Sequence, residues 1–115
     1  MQLPESNPSA PMRRSTRLDL TLPVVITSLD PARRFCEECR TVTVNAHGCG
    51  VISPESLAVG TQILVDLISE HRSAKARIVA LVCLEKNRTG FLLGIEFANP
   101  GNFWGIDSPP VDWSQ

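Results

Sequence analysis

The sequence has no excess of positive charge. Its 115 residues contain 11 Lys and Arg against 12 Asp and Glu, which gives a formal net charge of −1. Non-specific binding to a nucleic-acid polymer normally depends on a pronounced basic excess facing the phosphates, so this class of partner is not expected. Hydrophobic residues make up 43% of the chain, which is enough for the core of one domain with little to spare.

Long apolar segments are also missing. No run approaches the roughly 18 apolar residues of a membrane-spanning helix. The N-terminal residues MQLPESN lack the basic-then-apolar order of a signal peptide. We therefore expect a cytoplasmic protein, in which the four cysteines are reduced thiols or metal ligands rather than a disulfide framework.

The motifs of an enzyme are absent as well. There is no nucleophile elbow and no Gly-rich phosphate loop, and the carboxylates are scattered among predicted turns and strand exteriors. His71 lies in a polar turn, where we expect its imidazole to be solvated. The sequence therefore predicts a protein that is not an enzyme and has no resident cofactor.

What the sequence does have is alternation of apolar and polar residues with a period of two. Such runs are typical of half-buried strands and cover residues 18–26, 41–44, 61–68, 73–84 and 91–97, and a short apolar run at 49–53 predicts a further strand. Turn-forming segments separate them, and residues 85–90 supply a hairpin loop. Five or six short strands without a helical period predict an all-β barrel or sandwich, and closure into a barrel would remove exposed edges from so small a sheet.

Two of these runs carry specific expectations. In the first run, Pro23 suggests an edge or a bulge because proline cannot donate a hydrogen bond to a strand ladder. Cys83, near the end of run 73–84, is expected to pack against the barrel. One face of the strand predicted for this run is expected to consist of Ala74, Ala76, Ile78, Ala80 and Val82.

A polar corner lies between the second and third runs. Asn45 tolerates left-handed backbone conformations and can hydrogen-bond its own chain, while Gly48 and Gly50 lack a Cβ and would let a flat ligand approach. Taken alone, the corner is a plain hairpin turn, and the arginine cluster RRSTR at residues 13–17 is a solvated basic stretch. The presence of both features in one small domain favours a binding site.

The order of these features resembles the PilZ domain family. An R-x-x-x-R cluster (Arg13 and Arg17) is followed by a strand, by an N-x-x-x-x-G corner (Asn45 to Gly50), and by a final GFLLGIEF strand. PilZ domains are six-stranded bacterial barrels that bind the second messenger cyclic di-GMP. The resemblance covers residues 13–98.

The resemblance implies a small six-stranded antiparallel PilZ-like β-barrel with a flexible N-terminal arginine segment and a short aromatic C-terminal tail. It divides the chain into a disordered tail at 1–12, a barrel domain at 13–98 and a Pro and aromatic tail at 99–115. The prolines of the first segment block regular hydrogen bonding and the segment buries little apolar surface. In the last segment no helix is expected, and we expect Phe103 and Trp104 to dock on the barrel.

The resemblance also implies the ligand contacts. In the family, arginines of the first motif meet phosphates and guanine edges, and a second motif, [D/N]-x-S-x-x-G, meets a guanine. Guanidinium groups suit this task because they form bidentate bonds to phosphate or to guanine O6 and N7 and also stack on purines. Carried over to this chain, the predicted ligand-binding residues are Arg13, Arg14, Arg17, Asn45, His47 and Gly50.

His47 departs from the family pattern, which has serine at this position. Its imidazole is larger than a hydroxymethyl group and could stack on a base, hydrogen-bond it or fill the pocket. Two functions stay open. One is a cyclic di-GMP receptor whose arginine segment closes over the ligand. The other is a degenerate barrel that binds a protein partner through its surface or tail, with Trp104 and Trp113 as anchors.

The cysteines offer a further constellation. The C-E-E-C sequence at Cys36 and Cys39, followed by His47 and Cys49, contains the ligand types of a tetrahedral zinc site. The spacing between the two halves is short, and a C-x-x-C without a following helix is weak evidence for redox chemistry. We therefore predict no metal site and keep zinc at these four residues as the alternative.

Overall fold

The computed structural model describes residues 15–84 and 90–114. Its strands are β1 (Pro23–Ser28), β2 (Cys36–Asn45), β3 (Gly48–Ser53), β4 (Gln62–Leu67), β5 (Arg72–Cys83) and β6 (Phe91–Phe97). This part of the chain also has a 3-10 helix at Ile68–Glu70 and another at Val111–Ser114, which we call the terminal 3-10 helix. Neither of these helices has the length and apolar character needed to cross a membrane.

Several of the predictions concern residues outside the described ranges. These are the tail at 1–12, Arg13 and Arg14, and residues 85–89 of the hairpin loop. The proposed boundaries between tail, barrel domain and aromatic tail stay a prediction.

The six strands close into one barrel in the order β1-β2-β3-β6-β5-β4. Every neighbouring pair is antiparallel, including the closing pair of β1 and β4. Each strand therefore has a hydrogen-bonded partner on both sides, and the sheet leaves no open edge. The predicted six-stranded antiparallel barrel is confirmed, and the sandwich is excluded.

Alternating residues of the strands fill the barrel interior. The buried side chains are Leu93, Ile95 and Phe97 in β6, and Ile63, Val65 and Leu67 in β4. Burying one side chain of this size stabilises the fold by about 1.5–3 kcal/mol relative to leaving it exposed. The period of two in these runs therefore gave the correct interior face of both strands.

The first predicted run is shorter as a strand than its alternation suggested. β1 begins at Pro23, a position that proline tolerates because it needs no donor before the ladder starts. Upstream, Leu18 forms an isolated bridge with Val44, in which each backbone N–H donates to the other residue's carbonyl at 2.8 and 2.9 Å. Thr41, fully buried, accepts from the N–H of Leu22 and donates to the carbonyl of Leu20. The Thr41 hydroxyl thus replaces some of the backbone hydrogen bonds that a regular strand would form between this segment and β2.

The predicted face of β5 is correct only in its first half. Ala76 and Ile78 are buried, but a register shift between Ile78 and Ala80 places Ala80 opposite Gly94. One extra residue in a strand reverses which side the following side chains occupy, so Ala80 and Val82 lie outside the barrel. The expectation that both share the face of Ile78 was wrong. Cys83 is exposed as well, which corrects its expected packing against the barrel.

The aromatic tail packs against the end of β6. The rings of Phe103 and Trp104 lie 4.9 and 5.6 Å from that of Phe97, centroid to centroid. The Trp104 indole N–H donates to the carbonyl of Asn45 at 2.9 Å. Trp113 is also buried, within the terminal 3-10 helix, although no helix was expected in this segment. The tail is therefore part of the packed structure.

Candidate functional site

The corner between β2 and β3 is built on the side chain of Asn45. Its Oδ1 accepts hydrogen bonds from the backbone N–H groups of His47 and Gly48, at 2.8 and 2.9 Å. This Asx-type arrangement satisfies two donors at the point where the strand reverses. Its side-chain oxygen thus has a structural role in addition to the predicted role in ligand binding.

The two glycines of the corner differ in what surrounds them. A Cβ on Gly48 would lie 1.8 Å from the carbonyl oxygen of Ile95, so Gly48 is required for the close approach of β3 to β6. A Cβ on Gly50 would lie 3.4 to 3.7 Å from side-chain atoms of Thr43, Val42 and Leu92, which is ordinary contact. Gly50 is therefore not needed for packing, and its missing side chain leaves space on the outer surface.

That space is part of a groove of about 600 Å³ across the outside of β2, β3, β6 and β5. The structure brings together at this groove the predicted site residues that it describes, namely Arg17, Asn45, His47 and Gly50. Arg13 and Arg14 lie outside the described residues. The arginine motif and the corner motif are at least 28 positions apart in sequence, from Arg17 to Asn45, and the Leu18–Val44 bridge places them side by side.

The sequence prediction missed several residues of this groove. Val42, Val79 and Val82 line it and expose 39%, 43% and 49% of their surface. Part of this apolar surface arises because the bulge in β5 turns Val82 outward. An apolar surface of this kind can pack against the face of an aromatic base, whereas the solvent-facing side of a barrel usually carries polar side chains.

Arg77 is a second missed residue of the groove. Its Nε and Nη2 both donate to one carboxylate oxygen of Glu96, at 3.0 and 2.7 Å. The alternation of β5 correctly placed Arg77 on the outer face, but nothing in the sequence connected it with the corner. It adds a guanidinium to the groove at the opposite side from the arginine segment.

The described part of the arginine segment is fixed to the corner by Ser15. Its hydroxyl accepts from the N–H of Ala46 at 3.2 Å and lies 3.3 Å from Nδ1 of His47. Ser15 is only 2% exposed. The imidazole that replaces the family serine thus meets a serine of the other motif, a contact that the sequence analysis did not consider. Whether His47 also contacts a ligand stays a prediction.

A smaller cavity of about 490 Å³ lies on the other side of the arginine segment. It is bounded by Thr16, Arg17, Asp19, Thr43 and Asp112, together with Ser15. Arg17 borders both this cavity and the groove. Asp112 belongs to the terminal 3-10 helix, so residues from both ends of the described chain meet here.

The cysteines do not form a metal site in the described residues, where no group of three or more His, Cys, Asp or Glu is placed to hold an ion. Cys36 is exposed, whereas Cys39 and Cys49 are buried. Burial raises the pKa of Cys39 to about 11 and also raises that of Cys49. Metal ligation and nucleophilic chemistry need an accessible thiolate, and burial opposes its formation. The zinc alternative thus gains no support from the geometry.

The comparisons with known proteins identify the class of this barrel. A family model described as the PilZ domain matches residues 11–102. The chain therefore belongs to the PilZ domain family, a family of modules associated with cyclic di-GMP signalling. A search of curated proteins found no match.

A solved structure, the inhibitor of motility (MotI/DgrA) of Bacillus subtilis, is similar to this chain. The TM-score is 0.56 at 15% sequence identity, and the similarity covers 78% of this chain but 44% of that protein. At this identity the similarity shows a shared fold. The chain spans less than half the length of the solved protein that it matches.

Proposed function

We propose that this PilZ domain is a receptor for cyclic di-GMP and that the groove is its binding site. The observation that carries the proposal is the placement of Arg17 beside Asn45, His47 and Gly50, across a groove large enough for a nucleotide. The match to the PilZ family supports the choice of ligand. On this basis we propose a binding module of the bacterial cytoplasm rather than an enzyme.

The chemistry of the groove is suited to a ligand with two phosphates and two flat bases. Guanidinium groups form charge-assisted bonds to phosphate, and Arg17 and Arg77 approach the groove from different sides. The exposed valines of the groove, which Gly50 also lines, provide apolar contact for a purine ring. Phosphate binding and base contact are therefore both available within one groove.

Arg77 can contribute by exchanging partners. Its guanidinium is paired with Glu96, and 56% of the Arg77 side chain but only 21% of the Glu96 side chain is exposed. Turning Arg77 from this carboxylate towards a phosphate therefore costs more than the loss of a fully exposed ion pair, because a mostly buried carboxylate stays behind. A phosphate in the groove would therefore compete with Glu96 for this arginine.

Calorimetric titration of the purified protein with cyclic di-GMP tests the proposal directly. We expect saturable binding that is weaker with cyclic di-AMP, because arginine distinguishes the O6 and N7 edge of guanine from that of adenine. Arg17→Ala should weaken binding by about ten- to a hundredfold, since charge-assisted bonds are worth roughly 1.5–3 kcal/mol. Arg34→Ala, an exposed arginine outside both cavities, is the matched control.

A titration that shows no saturable heat of binding would contradict the proposal. So would an Arg17→Ala protein with the same affinity as the Arg34→Ala control.

The alternative function, a barrel that binds a protein partner instead, was based on Trp104 and Trp113 as anchors. Both indoles are buried within this chain and are not exposed to a partner, so that role for them was wrong. A protein partner on another surface stays a prediction.

A further inference from the structure

The terminal 3-10 helix holds the arginine segment through two side chains. Oδ2 of Asp112 accepts from the backbone N–H of Thr16 at 2.9 Å and from its hydroxyl at 2.8 Å. The indole N–H of Trp113 donates to the carbonyl of Thr16 at 2.7 Å. The backbone donor, backbone acceptor and side chain of one residue are thus all bound by the tail. Thr16 stands inside the RRSTR cluster, immediately before Arg17.

The tail itself is fastened to the same corner that forms the groove. The N–H of Gly101 donates to the carbonyl of Ala46 at 3.0 Å, and the Trp104 indole bonds the carbonyl of Asn45. Trp113 is 4% exposed, so its ring is packed as well as hydrogen-bonded. The segment that leads into the terminal 3-10 helix is therefore bound to the corner, which allows this helix to fix the position of Thr16.

The arginine segment is thereby held at two successive residues. Ser15 is bound by the corner through Ala46 and His47, and Thr16 is bound by the tail. Arg17 follows directly and borders both the groove and the smaller cavity. Two anchors on consecutive residues restrict the direction in which the next side chain leaves the backbone.

We infer that Asp112 and Trp113 are positioning residues for nucleotide binding, acting through Thr16 on Arg17. The inference rests on the proposed function, since it assigns these residues a role in the same site. Neither residue lines the groove, so both act without touching the ligand. Neither residue belongs to a barrel strand, although the Trp113 ring is also packed in the core, so its test needs a readout that core packing alone would not change.

The expected loss of affinity depends on the fraction of molecules in which the released arginine segment still lies in the arrangement that binds the ligand. The apparent dissociation constant equals the intrinsic one divided by the fraction of molecules that are competent to bind. If the freed segment spends about a tenth of its time correctly placed, affinity falls about tenfold. After the same release the peptide bond following Arg17 is still held by the Leu18–Val44 bridge, which then opens more often and admits a protease.

The experiment combines limited trypsin digestion of the ligand-free protein with calorimetric titration of cyclic di-GMP. Asp112→Ala removes the acceptor for Thr16, and Trp113→Phe removes the indole donor while keeping an aromatic ring. Asp112→Asn keeps a carbonyl oxygen able to accept and serves as the conservative variant. Asp107→Ala removes an exposed carboxylate of the same tail and serves as the matched control.

We expect cleavage after Arg17 to be about tenfold faster in Asp112→Ala and Trp113→Phe than in the wild type, with affinity about tenfold weaker in both. Asp112→Asn and Asp107→Ala should behave as the wild type. Cleavage after Arg77, within β5, provides the internal reference. Because global unfolding would accelerate both cuts, the ratio of the two rates reports release of the segment alone.

The outcomes separate this inference from the proposed function. If the wild type fails to bind cyclic di-GMP, the proposed function is wrong, while the cleavage ratio still decides whether the tail holds the segment. If the wild type binds but the cleavage ratio or the affinity is unchanged in Asp112→Ala and Trp113→Phe, the inference is overturned and the proposed function stands. Equal losses in Asp112→Asn and Asp112→Ala would also overturn it, because charge rather than hydrogen bonding would then be responsible.

Discussion

Two neighbouring regions place opposite requirements on their glycines. One is the packed wall, where β3 lies against β6 beneath the β2–β3 corner, and the other is the open groove on the outer surface beside it. In the wall, Gly48 is needed because the Ile95 carbonyl occupies the place of a side chain, and Gly48 also borders the groove. In the groove, two positions further along, Gly50 leaves room that a side chain would fill without a backbone clash. The comparison shows that one short motif serves folding at one glycine and ligand access at the other, and each role can be tested separately.

The largest expected effect is on the wall. Gly48→Ala places a methyl group against backbone atoms that cannot move without opening the pairing of β3 and β6. Overpacking typically costs about 1–3 kcal/mol and more where the backbone must shift, so we expect a loss of at least about 3 kcal/mol. Urea unfolding followed by circular dichroism measures this loss. A midpoint equal to that of the wild type would remove the distinction between the two glycines.

A loss of similar size is expected where the tail packs under the same corner. Trp104 is buried against Phe97 and donates to the carbonyl of Asn45. Trp104→Ala should lower the free energy of unfolding by about 3–5 kcal/mol, the usual range for truncating a buried aromatic residue. Val59→Ala, at a position that is 61% exposed, should change it by less than about 0.5 kcal/mol. Similar losses in both variants would show that the tail is not part of the packed structure.

Gly50→Val tests the groove side of the comparison. The new side chain would meet Thr43, Val42 and Leu92 on the outer surface, and the barrel interior would be unaffected. We expect stability within about 1 kcal/mol of the wild type but affinity for cyclic di-GMP at least about tenfold weaker. Parallel unfolding and calorimetric titration check the two halves of this prediction. Full affinity in the Gly50→Val protein would place the ligand elsewhere.

His47→Ser should have a smaller effect on binding. The substitution restores the family residue but removes the ring that Ser15 contacts, and one hydrogen bond contributes about 0.5–1.5 kcal/mol. We therefore expect affinity to fall by about two- to tenfold and the melting temperature to fall by a few degrees. Calorimetric titration compares the two proteins under the same conditions. Tighter binding by His47→Ser would mean that the imidazole obstructs the site.

The smallest effect concerns the buried thiols. At pH 8, iodoacetamide should label Cys36 and Cys83, which are exposed, much faster than Cys39. Burial raises the pKa of Cys39 to about 11, so the folded protein keeps this proton where the unfolded chain releases it. The sign follows from linkage: stability falls as pH rises above the ordinary thiol range towards 11. Mass spectrometry of the labelled peptides measures the first effect, and unfolding at pH 8 and 10 measures the second. Cys39→Ala should reduce the pH dependence, and part of it should remain because burial also raises the pKa of Cys49. Rapid labelling of Cys39 would contradict its burial.

Much of the barrel could be predicted because alternation is a local property. Apart from Leu64 and Leu92, the residues of β4 and β6 alternate, so a period of two identifies their interior faces directly. The same reasoning failed in β5 at Ala80, because a bulge depends on how two strands pair and because residues 78–83, IVALVC, are apolar on both faces. The expected edge or bulge at Pro23 was wrong, because β1 begins at this residue and pairs on both sides without a register shift.

The candidate site was only partly predictable for a related reason. The corner is local, since Asn45 bonds residues two and three positions ahead, and its residue types already suggest the turn. Arg77 joins the same groove through strand pairing, which no spacing in the sequence expresses. The assignment of ligand-binding roles to the site residues came from family resemblance and stays a prediction.

The sequence by itself determined the strand content, the interior faces of the regular strands and the membership of the PilZ family, because each depends on residue types at short spacings. Only the tertiary structure decided where the two ends of the described chain lie. Thr16 and Asp112 are 96 positions apart, and their hydrogen bonds form because barrel closure and tail packing bring both to one corner. Contacts at such separation depend on the completed fold and carry no local period, so the role inferred here for the terminal 3-10 helix could come from the three-dimensional arrangement alone.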